Sequence, residues 1–501
     1  MKNCKVLLIL PLLVFSSCAR DNPSSDKEII NKFYQNFLML TEIPRPSKHE
    51  KRISDFLKSW STEKGYTTTQ DSYNNIIFDV TATSGYENLP FTALQVHMDM
   101  VCVGMADPLN DPIHPIRDDK KEIVYANGTS LGADDGAGIA TIMTYLESGQ
   151  NHGPLRVFIT TDEEMDFSGA NNMNPDYFKD LKYLINVDAE DSTSMCVSTA
   201  SAVDIIGAKN LSLGQSSKNT SIKLTLSGLK GGHSGVDIDK NRCNAIMELG
   251  QFLVELSDNN IDFDIAKLEG GEFSNSIPKQ ASSVLFVDSG TLSAIESLKS
   301  TFLNHLKEKY SGEDSIVFDI SQVNVSNQVI SNSDTNDLIN MFDNIQNGVY
   351  TMSPDLPTLV ECSCNLGRIS FDNSVCNVAF LLRSSSQQKE DELLKYQESV
   401  LTNAGFSYTI SRSTKAWPYN PNNKLINIAK EVYKKQNETD LDVVALHAGL
   451  ECGTFATYNP NLMMCAIGPD IHDAHSVDET LYLNSIPKVY KLLSEMLLRV
   501  N

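Results

Sequence analysis

Past residue 15, no run in this 501-residue sequence is long and apolar enough to cross a bilayer. No CxxC pair, internal repeat or long low-complexity tract is present. No basic stripe offsets the formal net charge of -23, which argues against nucleic acid as a partner. The acids are spread along the chain, so they speak to solubility more than to a particular partner. There are ten cysteines, of which Cys4 and Cys18 belong to the N-terminal segment. A chain long enough for two or three domains has ample apolar material and needs no disulfide staples. The other eight cysteines are therefore expected to be buried free thiols.

What is present begins with "MKNCKVLLILPLLVFSSC". Lys2 and Lys5 precede an apolar run from Val6 to Phe15, interrupted by Pro11. The run is too short to span a membrane and reads as a secretory signal. Ser16 and Ser17 before Cys18 resemble the lipobox of bacterial lipoproteins, which marks Cys18 for lipidation and residues 1–18 as the signal. Phe15 departs from that pattern, where Leu is usual, and a signal peptide cut elsewhere is the alternative. The expected location is export, with a lipid anchor holding the chain to a bacterial membrane on the periplasmic side or at the cell surface. "ARDNPSSDKE" reads as a polar tether.

Apolar residues at helical spacing predict helices over Ile29–Leu40 and Ile53–Trp60, separated by Pro44 and Pro46. "NNIIFDV", "FTALQVHMD", "LRVFITT" and "LKYLINVD" read as strands, with a helix through Ile139–Leu146 among them. Strands alternating with helices imply an α/β layer on a mostly parallel sheet. After about Ala202, "SIKLTLSGL" alternates like a half-exposed strand. A helix near Ala245–Leu256 and the strands "SSVLFVD", "SIVFDI" and "NVAFLLRSS" follow. The organisation is an α/β catalytic domain over residues 19–202 and 408–501, interrupted by an α+β lid domain over 203–407. From about Ser407 a return to helix–strand alternation is expected, ending in a C-terminal helix.

The ends of these strands carry the chemistry. "ITTDEEMD" places Asp162, Glu163, Glu164 and Asp166 directly after a buried strand. A solvated turn is the ordinary explanation of an acidic cluster. "LQVHMDMV" puts Asp99 two residues beyond His97, on the same side of an extended chain. That spacing lets Asp99 hold the His97 ring from behind. "LGADDGAG" sets Asp134 and Asp135 among glycines, where a phosphate loop is excluded by the missing Gly-Lys-Ser/Thr and by repulsion. "LINVDAED" ends at Asp188, and "GPDIHDAHSVDET" brings His472 and His475. His, Asp and Glu at strand ends converge where open α/β sheets bind ligands. Such N and O donors suit zinc, with manganese and cobalt as alternatives.

Seven segments, "QVHMDMV", "LGADDGAG", "TTDEEMD", "INVDAE", "GLKGGHSGVDI", "HAGLECG" and "AHSVDE", occur in the order that resembles the aminoacyl-histidine dipeptidases. These are di-zinc peptidases of the aminoacylase and carboxypeptidase clan, and the resemblance runs from about Phe33 to the C-terminus. It implies two zinc ions, one on His97 and Asp188 and one on Glu164 and His475, with Asp134 bridging them. It makes Asp99 the orienter of His97 and Glu163 the general base for a water between the ions. It further implies a cis peptide after Asp134. His233 resembles a lid histidine that stabilises the oxyanion, while Asn275 and Arg383 resemble lid groups that hold substrate. His447 and Glu451 are expected near the substrate.

The implied substrate is a small peptide, with Xaa-His among the candidates. An N-acyl amino acid amidohydrolase or a tripeptidase is the near alternative, and a non-catalytic, lipid-anchored peptide-binding protein the distant one. The last has no use for Glu163. Relatives with a one-lobe lid dimerise through it and lend the lid histidine to the partner's site. The insert here is long enough for two lobes, which predicts that His233 serves its own chain even in a homodimer.

Overall fold

Ser25 begins the ordered account of the chain by capping the first helix, Asp26–Thr41. Its hydroxyl accepts the Glu28 N–H while the Glu28 carboxylate accepts its own N–H, satisfying two end groups reciprocally. The computed structural model describes residues 25–501, except Thr358 and Asn373. The signal segment and Cys18 lie outside the described residues.

The catalytic domain is built on an eight-stranded sheet. Its order is Thr67–Gln70, Ile76–Val80, Leu155–Thr160, Thr92–His97, Tyr183–Asn186, Met463–Ala466, Ser194–Thr199 and Asp442–Leu446. The four strands from Leu155–Thr160 to Met463–Ala466 are mutually parallel, and the edge leading to Thr67–Gln70 is antiparallel. One face packs on the helices Asp26–Thr41, Ala133–Glu147, Lys424–Asn437 and Ile486–Arg499. The other carries a stack of Phe158, Phe178 and Phe455, with successive ring centroids 4.8 and 5.1 Å apart. Covered on both faces, the central strands read as continuous apolar runs. His97, Thr160 and Asn186 are the final residues of three adjacent parallel strands, so the chain leaves the sheet at one edge with its ligating residues just beyond.

The lid is a nine-stranded antiparallel sheet with its own core. Its first strand is Ser201–Asn210 and its last Ser407–Thr414, and these two pair with each other. It thus takes in residues on either side of 203–407. Ser407–Thr414 does not begin the return to the catalytic domain, as the sequence suggested. It is an edge strand with one packed side, and "SYTISRST" alternates too weakly to reveal its partner. The helices Ala245–Asp258, Leu292–Lys309, Asn332–Asn344 and Gln387–Asn403 cover the lid sheet. The two crossings between the domains lie side by side, with Thr199 and Trp417 exchanging backbone hydrogen bonds of 2.9 and 3.1 Å.

Cys196, Cys243, Cys362, Cys364, Cys376, Cys452 and Cys465 are buried free thiols. Cys102 is also free but only half-buried, since it sits in the open loop after the His97 strand rather than in a core. No helix among the described residues is long and apolar enough to cross a membrane.

Candidate metal centre

Two groups of potential ligands meet at the strand ends and share Asp134. In the first, His97 Nε2 lies 3.1 Å from Asp134 Oδ1 and 3.3 Å from Asp188 Oδ1. In the second, His475 Nε2 lies 3.0 Å from Asp134 Oδ2 and 2.8 Å from Glu164 Oε2. The chain brings these five side chains together from five segments spread between residues 97 and 475.

Local backbone explains how. Asp162 has φ 60°, a turn held by its carboxylate, which accepts from Lys48 at 2.9 Å and from Ser168. Its N–H donates to Glu50 Oε1 at 3.1 Å. The turn aims the next two N–H groups at Asp99, Glu163 to Oδ1 at 3.0 Å and Glu164 to Oδ2 at 3.2 Å. Asp99 Oδ1 also lies 3.4 Å from His97 Nδ1. One buried carboxylate therefore fixes the Glu163–Glu164 backbone and stands beside the His97 ring. Of the four acids in "ITTDEEMD", Asp166 is the solvated one, exposed and paired with Lys48 at 2.5 Å.

The glycine-rich bend has a second organiser, which sequence reasoning missed. Glu479 accepts the N–H groups of Leu131, Gly132, Ala133 and Asp134 at 2.6–3.3 Å. Gly132 adopts φ 68°, and a Cβ there would meet Arg45 Nη2 at 2.7 Å. Arg45, fully buried, donates to the carbonyls of Met98, Asp99 and Gly132, tying this bend to the His97 strand end. Glu479 stood in the motif "AHSVDE" and could have been flagged there. Arg45 gave no signal beyond a cation between two prolines. The Asp134–Asp135 peptide is cis.

The electrostatics favour added cations. Burial raises the Glu163 carboxyl well above its usual value, with Asp188, Glu164 and Glu451 adding to the shift and His97 opposing it. Burial likewise raises Glu164 and Asp188. Hydrogen bonds to Asp134 and Glu164 hold His475 up at about 10. Burial disfavours a charged His97, but Asp188, Asp134 and Asp99 outweigh it and raise its pKa. Asp188 Oδ2 is buried without a hydrogen-bond partner. Crowded carboxylates, histidines that hold protons between them and an orphaned oxygen fit divalent cations, which bind such donors as the protons leave.

A cleft of about 500 Å³ adjoins the two groups. Its walls include Glu163 and Glu164 from the catalytic domain and His233, Asn275 and Arg383 from the lid of the same chain. His233 Nδ1 accepts the N–H groups of Gly235 and Val236 at 3.2 and 3.3 Å, and its Nε2 faces Arg383 Nη2 at 3.3 Å. Burial and the adjacent Arg383 lower its pKa, which favours the neutral ring. Burial also brings Arg383 down to about 10.

His447 and Glu451 are not in the cleft wall as expected. Glu451 is completely buried beneath the strand ends, where it accepts from Gln95 at 2.6 Å and Thr160 at 2.5 Å. Burial raises it to about 8. His447 is buried against Ser363, 2.7 Å from its Oγ. The same loop presents Ala448 and Gly449 to the cleft instead. His472 joins neither ligand group and packs its ring on Tyr482 at 4.6 Å.

Known proteins resemble this chain in sequence and fold. The chain is 30% identical over 472 residues to the cytosol non-specific dipeptidase of Escherichia coli (strain K12), spanning 92% of this chain and 96% of that one. The aminoacylhistidine dipeptidase of Vibrio alginolyticus superposes with a TM-score of 0.88 at 30% identity, covering 94% of this chain and 96% of that chain. A tripeptidase from Staphylococcus aureus matches with a TM-score of 0.54 at 16% identity, covering 93% and 97%. That last likeness is one of fold alone. The expected export and lipid anchoring do not stand, because the Escherichia coli relative, matched over nearly its full length, is a cytosolic enzyme by name. The model of peptidase family M20/M25/M40 matches residues 93–499. The chain belongs to that family and is a metallopeptidase.

Proposed function

We propose that this metallopeptidase hydrolyses dipeptides with the help of two divalent cations. The observation that carries the reading is the pair of ligand groups sharing Asp134, with Glu163 buried beside them. His97 and Asp188 would hold one cation and Glu164 and His475 the other, with Asp134 serving both. Zinc suits these donors, and manganese and cobalt are the alternatives. Such cations, when bound, acidify water and polarise the scissile carbonyl.

The remaining work falls to side chains. Glu163 accepts the proton of the attacking water and delivers it to the leaving amine. Its backbone is fixed by Asp99, which also stands beside the His97 ring. His233, at the cleft wall beside Glu163, serves as the hydrogen-bond donor to the oxyanion. Arg383 takes the peptide's terminal carboxylate, for which a planar guanidinium is suited, and Asn275 adds a polar contact. With the carboxylate fixed on Arg383, the reach to Glu163 sets the length of peptide that is cut. Both relatives at 30% identity are dipeptidases by name, one of aminoacyl-histidine and one non-specific. Those names support histidine as one candidate for the substrate's C-terminal residue. His233 serves its own chain, so a homodimer through the lid is not needed to complete the site.

The test is a panel of Ala-His, Gly-His, non-histidine dipeptides, tripeptides and N-acyl amino acids, before and after chelation. Dipeptide hydrolysis should vanish on chelation and return with zinc, manganese or cobalt. Faster turnover of tripeptides or N-acyl amino acids than of every dipeptide would overturn the reading.

A further inference from the structure

Arg383 has an anionic neighbour on the lid sheet. Asp204 lies on the strand Ser201–Asn210, in register with Leu381 on one side and Ser411 on the other. Arg383 is in register with Ala202. Residues two apart along a strand share a face, so Arg383, Leu381 and Asp204 line the same side of the sheet. Arg383 and Asp204 are diagonal neighbours, about 7–8 Å apart at Cα by sheet geometry. All three line the cleft that holds Glu163 and His233.

Asp204 is held by one hydroxyl and interacts through space with Arg383 without forming a close ion pair. The Ser274 hydroxyl donates to its Oδ1 at 2.7 Å. Among the described residues, no donor is recorded on Oδ2 and no lysine, arginine or histidine lies within ion-pair distance. Its surroundings are otherwise apolar on two sides. Leu381 is directly across the strand, and Phe273 precedes Ser274 at the rim, 65% exposed.

We propose that Asp204 is a specificity residue, selecting dipeptides whose C-terminal side chain has an apolar stem and a cationic tip. The inference rests on the dipeptidase reading above. A C-terminal lysine or arginine carries an anion and a cation on one residue. Arg383 and Asp204 offer the complementary pair side by side, and Leu381 and Phe273 flank the stem. Protonated histidine, shorter, meets the same carboxylate. An acidic C-terminal residue brings like charge to Asp204 and is rejected.

The experiment compares Ala-Lys with Ala-norleucine, which keeps the stem and lacks the charge, and with Ala-Glu. In the Asp204→Asn variant, the kcat/KM ratio of Ala-Lys to Ala-norleucine should fall about tenfold, the loss lying in KM. Asp204→Lys should shift preference toward Ala-Glu. Calorimetry in the Glu163→Gln background should show the same loss of Ala-Lys affinity, independently of turnover. An unchanged ratio overturns the inference. So does an equal fall on both substrates, which would assign Asp204 a structural role through Ser274. If the unaltered enzyme cleaves no dipeptide at all, the dipeptidase reading fails and this inference with it.

Discussion

A carboxylate removed from water holds its proton more tightly, and Glu451 is completely buried under the strand ends. Its Oε2 accepts from both Gln95 and Thr160, and burial lifts it from 4.5 to about 8. The folded state therefore binds this proton more tightly than the unfolded chain does. Its contribution to stability is full below about pH 4.5 and is lost as pH rises through about 8. Glu451→Gln keeps an acceptor for Gln95 and Thr160 and cannot ionise. Thermal melts from about pH 5 to about pH 9 should show the unaltered protein losing more stability than the variant as pH rises. Parallel curves would mean that Glu451 is not protonated in the fold. At this scale, His97, Asp134, Glu164, Asp188 and His475 were legible because each closely follows an apolar run or sits in a quoted motif. Burial decided the rest. Nothing local in "HAGLECG" distinguishes a loop that shows the cleft Glu451 from one that shows it Ala448 and Gly449.

Among the elements, the helix Ala245–Asp258 anchors the lid. Phe252 is fully buried, with its ring 4.8 Å from Phe318 and 5.2 Å from Phe302. Phe252→Ala should cost about 3–5 kcal/mol, the transfer loss plus a cavity. Denaturant titration followed by a lid probe should show the earlier transition, and a shift under about 1 kcal/mol would contradict the packing. This helix was readable because its apolar residues hold one phase over three turns. Leu292–Lys309 was not, since it buries only Ile295, Phe302 and Leu306 and is polar elsewhere. The long hairpin Val360–Asp372 with Val375–Ser384 was read only in its second strand. Its first, "VECSCNLGRISFD", mixes small and polar residues that meet partners distant in sequence, Ser363 on His447 and Asn365 on the Ser274 and Ser276 carbonyls.

The whole molecule explains why the lid and the metal centre work together. The sheet begun at Ser201 closes with Ser407–Thr414, so both crossings sit beside the cleft and carry His233, Asn275 and Arg383 to it within one chain. The inserted lid could be inferred from the change of texture near Ala202. Its far boundary could not, because an edge strand pairs with a segment some two hundred residues earlier and local pattern is silent on that. The account turns on the division of labour between adjacent carboxylates, Glu164 as ligand and Glu163 as base. The direct test is Glu163→Gln, with metal counted by elemental analysis beside dipeptide turnover. The account predicts two metal ions per chain and activity reduced by about 10²–10⁴-fold, the usual worth of a general base. A variant that has lost its metal, or one that is fully active, would contradict it.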